Sequence, residues 1–185
     1  ILLSWLFLIL AVAIKVDSHG PVFYRQVRVT TGNRDFRIFK FRTMINNADK
    51  IGSLVTTGND SRITRVGAKI SKCRLDEIQQ LLNILKGEMS FVGTRPEVRK
   101  YVDRYTDEMM ATLLMPAGVT SLASISFKDE DELIDEYTEK GMSVDDAYME
   151  KVLPEKMKFN LEYMKQFGFL RDIKLMIQTF VSVIK

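Results

Sequence analysis

At 185 residues, 46% of them apolar, the chain is long enough for one domain with a sizeable core, and its single Cys73 excludes an internal disulfide framework. One histidine, His19, is too few for a typical zinc site and argues against Ser-His-Asp chemistry. The net charge of +3 hides a division, 17 Lys and Arg against 8 Asp and Glu in residues 1–100 and 10 against 16 thereafter, so the first half either meets an anionic partner or presents a solvated positive face.

Residues 1–14 are almost wholly apolar, with no charge before Lys15, and the chain opens without Met, as expected of a piece of a longer protein. The run is shorter than the roughly 20 residues of a spanning helix. No basic stretch precedes it and no small-residue cleavage site follows, as a signal peptide requires. Three readings stand: the second half of a spanning helix, a re-entrant membrane segment, or a buried core helix. Asp17 to Gly20 reads as a turn. Residues 21–29 alternate and predict a strand, Thr31-Gly32-Asn33 is a turn signal, and residues 36–41 return as a second strand. Such a hairpin is too small to be a core by itself.

Residues 45–52 predict a short helix, 53–61 a polar loop, and 65–72 a further helix. The segment 76–86 predicts a helix on which Ile78, Leu81, Leu82 and Leu85 share one face, with Gly87 at the C-cap position. Residues 97–114 predict a helix that Pro116-Ala117-Gly118 ends. Residues 128–140 predict an acidic, solvated helix, and 144–166 a longer one interrupted or restarted at Pro154. The last helix aligns Leu170, Ile173, Met176, Ile177, Phe180, Val181 and Ile184. That stripe reads as core packing, with a membrane-surface role as the alternative because Arg171, Lys174 and Lys185 flank it. There is no internal repeat. The fold class is α+β, mostly helical, with a small β-hairpin and amphipathic surface helices.

Asp76 and Glu77 stand side by side at the mouth of an apolar helix, and Gly93-Thr94-Arg95-Pro96 follows it. Carboxylate, glycine and arginine close together suit chemistry on a phosphate: one group attacks or holds a metal, and another neutralises oxygens that gain charge. Asp76 also fits a helix N-cap, with Gln79 completing a capping box. The two roles are compatible, because a carboxylate at a helix N-terminus is held ionised by the dipole. Lys40 and Arg42 flank Phe41 and share a strand face. Beside Thr43 they suit a pyrophosphate or lipid phosphate; the plain alternative is exposed strand cations. Arg95 suits bidentate phosphate contact or a structural salt bridge to Glu97 or Glu88. Arg62 and Arg65 are further phosphate candidates. Cys73 reads as a buried small apolar residue.

Four blocks occur in order: residues 17–26 (DSHGPVFYRQ), 39–44 (FKFRTM), 60–67 (DSRITRVG) and 75–96 (LDEIQQLLNILKGEMSFVGTRP). Together they resemble the bacterial sugar transferases, the monotopic phosphoglycosyl transferases that load a sugar phosphate onto polyprenol phosphate. That family carries Leu-Asp-Glu-Leu-Pro-Gln-Leu, then Asn-x-Leu-Lys-Gly-(Asp/Glu)-Met-Ser-x-x-Gly-Pro-Arg-Pro. The resemblance covers the first two thirds of the chain well and the rest loosely.

The resemblance implies transfer of a sugar 1-phosphate from a UDP-sugar to polyprenol phosphate with release of UMP, initiating a bacterial surface glycan. It makes Asp76 the nucleophile that forms an aspartyl phosphosugar intermediate and the ligand of Mg²⁺ (or Mn²⁺), with Glu77 in support. It assigns substrate phosphate to Lys40, Arg42, Arg62, Arg65 and Arg95. Mg²⁺ is physically reasonable, since it uses one or two carboxylates plus substrate phosphates. Residues 1–16 become a truncated, membrane-inserted and re-entrant helix, although the family's Ser-Pro break reads Ser4-Trp5 here. Residues 17–185 become a cytoplasmic catalytic domain at the bacterial inner membrane, in line with Lys15, Arg25 and Arg28 after the apolar run. UDP-sugar, polyprenol phosphate and membrane lipids are the expected partners. The competing reading is a non-catalytic basic module that docks on anionic lipid through residues 1–42; nucleic-acid binding lacks any motif. Departures from the family are Gln79 and Thr94 in place of prolines, and Ser71 with Lys72 where the family has Arg. The later Met115-Pro116-Ala117-Gly118 block and the acidic segment 129–146 are also atypical. These are places where substrate choice can differ.

Overall fold

In the computed structural model, which describes residues 2–56, 60–127 and 130–184, the apolar N-terminal run forms helix α1 (Leu2–Asp17). One side packs, and Leu10 and Ile14 are buried against Phe41 and Ile70. Each such side chain contributes about 1.5–3 kcal/mol. The other side, with Trp5, Leu8, Ile9, Val12 and Val16, is exposed. The helix is thus neither fully buried nor free of the domain. Among the described residues no helix is long and apolar enough to cross a membrane.

The alternating segments pair as expected. Strands β1 (Phe23–Thr30) and β2 (Arg34–Phe41) form an antiparallel hairpin in the register Phe23↔Phe41 to Thr30↔Arg34. The turn between them uses Gly32 at φ 69° and Asn33 at φ 59°, the left-handed values that Gly and Asn tolerate best. One face of β2 gives Phe36 and Ile38 to a cluster with Met89, and the opposite face gives Phe41 to the cluster under α1.

Helix α2 (Ala48–Ile51) falls within the predicted short helix, and residues 57–59 of the predicted polar loop lie outside the described residues. Helix α3 (Arg65–Lys72) is capped twice: Thr64 Oγ1 accepts from Gly67 N, and Asp17 Oδ2 accepts from Val66 N at 2.8 Å. A Cβ at Gly67 would stand 2.0 Å from the Thr43 carbonyl oxygen, so glycine lets α3 lie directly on that strand exit.

The predicted helix over 76–86 is split. A single 3-10 turn, Leu75–Glu77, precedes helix α4 (Gln80–Leu85). This helix is inverted. Gln79, Gln80 and Asn83 are buried, whereas Leu82 is 45% and Leu85 83% exposed. Asn83 explains the polar inner face in part. Its Oδ1 accepts from Phe39 N at 3.0 Å, and its Nδ2 donates to Arg37 O at 3.0 Å and Glu88 Oε2 at 2.6 Å, which fastens α4 to β2.

A second sheet is parallel and short: β3 (Ser90–Val92) beside β4 (Gly118–Thr120). A Cβ at Gly118 would lie 2.2 Å from Gly93 N, so these two glycines permit the backbones to touch. Thr94 N donates to Pro116 O at 3.2 Å, a bond the family's proline at that position has no N–H to make. The predicted helix over 97–114 is instead α5 (Arg99–Val102), a turn, α6 (Asp107–Met110) capped by Thr106, and a 3-10 turn, Ala111–Leu114.

Helix α7 (Leu122–Ser126) follows β4. The acidic stretch gives α8 (Glu130–Glu139), which is anchored more firmly than a solvated helix, because Ile134 is wholly buried in the largest apolar cluster with Val98, Tyr101 and Leu153. Then come α9 (Val144–Ala147), a π turn over Tyr148–Val152, and α10 (Leu153–Lys165), which restarts with Pro154 in its first turn as expected.

The closing helix α11 (Phe169–Ile184) overturns the core-packing reading. Leu170, Ile177 and Phe180 are 82%, 59% and 67% exposed, and Leu175, off the aligned stripe, is the residue buried. The helix leans on Val92 and Tyr163 through Leu175, with Met176 of the stripe packed beside it, and leaves Leu170, Ile177 and Phe180 outward.

Candidate active site

The Leu75–Glu77 turn begins after Arg74, whose φ of 51° is left-handed without the help that glycine or asparagine has. The turn presents both carboxylates inward, where Asp76 is 6% and Glu77 7% exposed. Neither acts as the helix cap. No side-chain cap bond closes this turn, and α4 starts four residues beyond Asp76, so the N-cap reading of Asp76 does not hold.

Lys40, on β2, reaches both acids. Its Nζ lies 3.0 Å from Glu77 Oε1 and 3.7 Å from Asp76 Oδ2. Arg95, after β3, donates from Nη2 to the same Glu77 oxygen at 2.7 Å. The salt bridge anticipated for Arg95 therefore exists, but to Glu77 rather than to Glu97 or Glu88. Arg74 Nη1 stands 3.9 Å from Glu77 Oε2.

The two acids are in opposite electrostatic states. Burial would raise Glu77, yet the charges and hydrogen bonds of Arg95 and Lys40 outweigh it and hold the carboxyl well below its usual range. Burial pushes Asp76 up, the charge of Glu77 adds to this, and Lys40 and Arg95 only partly oppose it. Among the described residues the nearest ion partner of Asp76 is Lys40 at 3.7 Å, beyond hydrogen-bond range. Glu77 is thus a fixed counterion, and Asp76 is held more loosely, by its own backbone N–H and by Lys40 at 3.7 Å.

Asp76 and Lys40 line a cavity of about 730 Å³ that extends under α1's exit and across to the acidic segment. Ser71 and Lys72 line it as well, so the segment that departs from the family still brings one ammonium to this space. Its far wall includes Ser53, Leu54 and Asp131. Asp145 clamps that wall, accepting from Ser53 Oγ at 3.2 Å, Tyr101 Oη at 2.6 Å and Lys100 Nζ at 2.6 Å. The acidic segment therefore gives Asp131 to the cavity wall and braces Ser53 through Asp145.

Two of the predicted phosphate contacts line the cavity but spend their guanidinium groups on the backbone. Arg42 donates to the carbonyl oxygens of Ser18 and His19, each at 2.7 Å, and ends α1. Gly20 lies beneath it at φ 128°, where a Cβ would overlap the guanidinium. Arg62 binds Asp60 Oδ1 at 2.9 Å and the carbonyls of Ala48 and Ser53. Their surroundings fix loops: burial lowers Arg42, whereas the hydrogen bond to the Asp60 carboxylate raises Arg62. Arg65 is exposed at the start of α3 and does not line the cavity. Cys73 is exposed rather than buried, because α3 ends at Lys72 and the chain turns outward there. Arg74 was not among the expected residues; its signal was adjacency to the acids.

The donor set can be tested for a metal. Among the described residues no three His, Cys, Asp or Glu side chains gather around a common point. One carboxylate on a cavity wall fits Mg²⁺, which takes its other ligands from substrate phosphates and water, and does not fit an ion that needs a protein cage.

The match to the model of the bacterial sugar transferase family runs over residues 1–185. The chain belongs to that family. Among curated relatives it is 36% identical to the UDP-N-acetylgalactosamine-undecaprenyl-phosphate N-acetylgalactosaminephosphotransferase of Aeromonas hydrophila, over 99% of this chain and 40% of that protein. It is 31% identical to the UDP-glucose:undecaprenyl-phosphate glucose-1-phosphate transferase of Xanthomonas campestris pv. campestris, over 97% of this chain and 35% of that protein. The transferase of the same name from Caulobacter vibrioides is also 31% identical, over 97% of this chain and 62% of that protein. The chain thus spans well under two thirds of the first relatives it matches. Their names differ in the sugar, so this bacterial sugar transferase is similar to proteins of more than one donor specificity.

Proposed function

We propose that this bacterial sugar transferase moves a sugar 1-phosphate from a UDP-sugar to polyprenol phosphate and releases UMP. The observation that carries the reading is the asymmetry of the dyad: Glu77 is held by Arg95 at 2.7 Å and Lys40 at 3.0 Å, while Asp76 lines a cavity of about 730 Å³ and, among the described residues, has Lys40 no nearer than 3.7 Å. An ionised carboxylate needs no base to attack, and one poorly stabilised by its surroundings is the better nucleophile.

In the first step an Asp76 carboxylate oxygen attacks the sugar-linked phosphorus. The bond from that phosphorus to the bridging oxygen breaks, and the electron pair leaves with UMP. In the second step a phosphate oxygen of the lipid attacks the same phosphorus, and the bond to Asp76 breaks with its electrons returning to the carboxylate. Lys40 supplies positive charge beside the reacting oxygens, and Glu77 with Arg95 holds Lys40 in place. Asp76 is the side chain that would hold Mg²⁺, which, when bound, neutralises diphosphate charge.

We also place the protein at a membrane surface on the cytoplasmic side, where a nucleotide-sugar donor is available. The outward apolar faces of α1, α4 and α11 support this, since such surface in water is costly and lipid covers it at little cost. A re-entrant path for α1 belongs to the same proposal. The discriminating experiment is UMP release from a panel of UDP-sugars with polyprenol phosphate present. Release with one or a few donors supports the reading; lipid binding without release under any donor favours the docking-module alternative.

A further inference from the structure

A chain of buried charge runs behind the cavity, and both of its ends lead to the cavity wall. Arg28, on β1, donates from Nη1 to Pro96 O at 3.1 Å and lies 3.8 Å from Glu97 Oε2. Glu97 is buried; its Oε1 accepts from Tyr148 Oη at 2.7 Å and stands 3.3 Å from Lys156 Nζ. Lys156, also buried, lies 3.3 Å from Glu130 Oε1 at the start of α8. Burial would raise Glu97, but the charges of Lys156 and Arg28 and the Tyr148 hydroxyl hold it below its usual range. At one end of this chain Arg28 and Gln26 line the cavity, and at the other Asp131, next to Glu130, does so.

Arg28 fixes an amide. Its Nε donates to Gln26 Oε1 at 2.9 Å, and a guanidinium can only donate, so the Gln26 oxygen faces Arg28 and the Nε2 hydrogens face away from it. Asp131 has no ion pair among the described residues. The wall thus offers a hydrogen-bond donor in Gln26 Nε2 and an acceptor in Asp131.

Charge decides what this wall meets. Glu97 compensates Arg28, Lys156 compensates Glu130, and the Asp131 carboxylate then disfavours phosphate. Lys40 and Lys72 are the cations of the cavity beside Asp76, and phosphate belongs there. An uncharged part of the donor is left for Gln26 and Asp131, and a sugar hydroxyl, which both donates and accepts, suits the pair. The hairpin sets the depth. Tyr24 pairs with Lys40, which reaches Asp76, and Gln26 lies two residues farther, about 7 Å along the strand. That is the depth of one sugar ring beyond the reacting phosphate.

We propose that Gln26 and Asp131 read the hydroxyl groups of the transferred sugar, and that Arg28 is the positioning residue that aims Gln26. The proposal rests on the transfer reading above and deepens it by naming the residues that select the donor. It gives a use to the acidic segment, which departs from the family's pattern, in a chain similar to relatives whose names differ in the sugar.

The test uses the full-length enzyme in detergent micelles and reads UMP release from pairs of UDP-sugars that differ at a single hydroxyl group. Gln26→Met, which keeps the length of the side chain, is expected to lower kcat/KM for the preferred donor about tenfold, the value of a hydrogen bond, and to narrow the preference within each pair. Asp131→Ala, a change at an exposed position, is expected to do the same. The KM for polyprenol phosphate should stay within about twofold in both. Arg28→Lys keeps a charge beside Glu97 but loses the Nε contact, and is expected to narrow the same preference, which a loss of stability alone would not do. Unchanged preferences in these variants overturn the proposal. An equal fall for every donor overturns it as well, and weaker inhibition by UMP would then assign the wall to the uridine. Failure of the transfer reading looks different: the unmodified enzyme releases no UMP from any donor, and this proposal falls with it.

Discussion

Arg95 Nη2 and Glu77 Oε1 meet at 2.7 Å across 18 residues of chain, and this contact joins the loop after β3 to the turn that carries the acidic pair. It gives the two neighbouring carboxylates different work. Glu77 gathers Arg95 and Lys40 as a structural counterion, and Asp76 is left to the cavity. Arg95, in turn, is raised above its ordinary value chiefly by the charge of Glu77, and so remains a cation under all working conditions.

Glu77→Gln is expected to lower turnover by a smaller factor than loss of Asp76, and to change the acid limb of stability. The folded pKa of Glu77 is depressed, so its contribution is present above its unfolded value near 4.5 and is lost as pH falls through the folded value. Asp76, whose folded pKa is raised, acts the other way: it costs stability once ionised and gains on protonation. Melting temperatures from pH 3 to 7, a range of about 4 units around these carboxyls, should therefore fall less steeply on acidification in the Gln variant. Parallel curves for the two proteins would remove Glu77 from this account.

Arg95→Lys is expected to reduce turnover about tenfold or more while leaving the fold intact, because an ammonium can keep the contact to Glu77 but cannot reproduce a forked contact to phosphate. The check is kcat/KM for the UDP-sugar beside a melting curve. An Arg95→Lys enzyme of ordinary activity assigns the residue to Glu77 alone.

Exhaustive treatment with EDTA is expected to abolish UMP release, and added Mg²⁺ or Mn²⁺ to restore it, since a single protein carboxylate must share the ion with substrate phosphates. Stability without substrate should change little, because no protein cage is lost. Full activity after chelation takes the metal out of the mechanism.

Leu85→Asp is expected to weaken sedimentation with anionic liposomes severalfold without lowering the melting temperature, since Leu85 is 83% exposed and supports no core. Cys73 offers a matching probe of sidedness, being exposed and the one cysteine of these 185 residues, when labelling is read on the peptide that contains it. A membrane-impermeant maleimide should label it in inverted vesicles and not in intact cells. Labelling from outside intact cells contradicts the cytoplasmic placement.

Much of this was legible in the sequence where the signal is local. The hairpin followed from alternation and the Thr31-Gly32-Asn33 turn, α3 and the restart at Pro154 from short-range patterns, and the dyad from its motif. What was hidden depends on contacts between distant segments. A helical period identifies a face but not what covers it, so the inward Gln79, Gln80 and Asn83 and the outward stripes of α4 and α11 could not be told from ordinary amphipathic helices. Strands β3 and β4 have three residues each and pair only because Gly93 and Gly118 let their backbones touch. Arg42 and Arg62 have the composition of phosphate contacts, but nearby carbonyl groups engage them first. The break between α5 and α6 did have a local sign, Thr106 ahead of Asp107 and Glu108, which is an N-cap pattern.

The central claim is that Asp76 carries the sugar phosphate. Its most direct test is intact-protein and peptide mass spectrometry of the enzyme mixed with its UDP-sugar in the absence of lipid acceptor, beside Asp76→Asn. The account predicts a phosphosugar adduct on the peptide containing Asp76, matched by one equivalent of UMP, and neither adduct nor UMP from the Asn variant. Near-normal UMP release from Asp76→Asn, or an adduct on a different peptide, would contradict it.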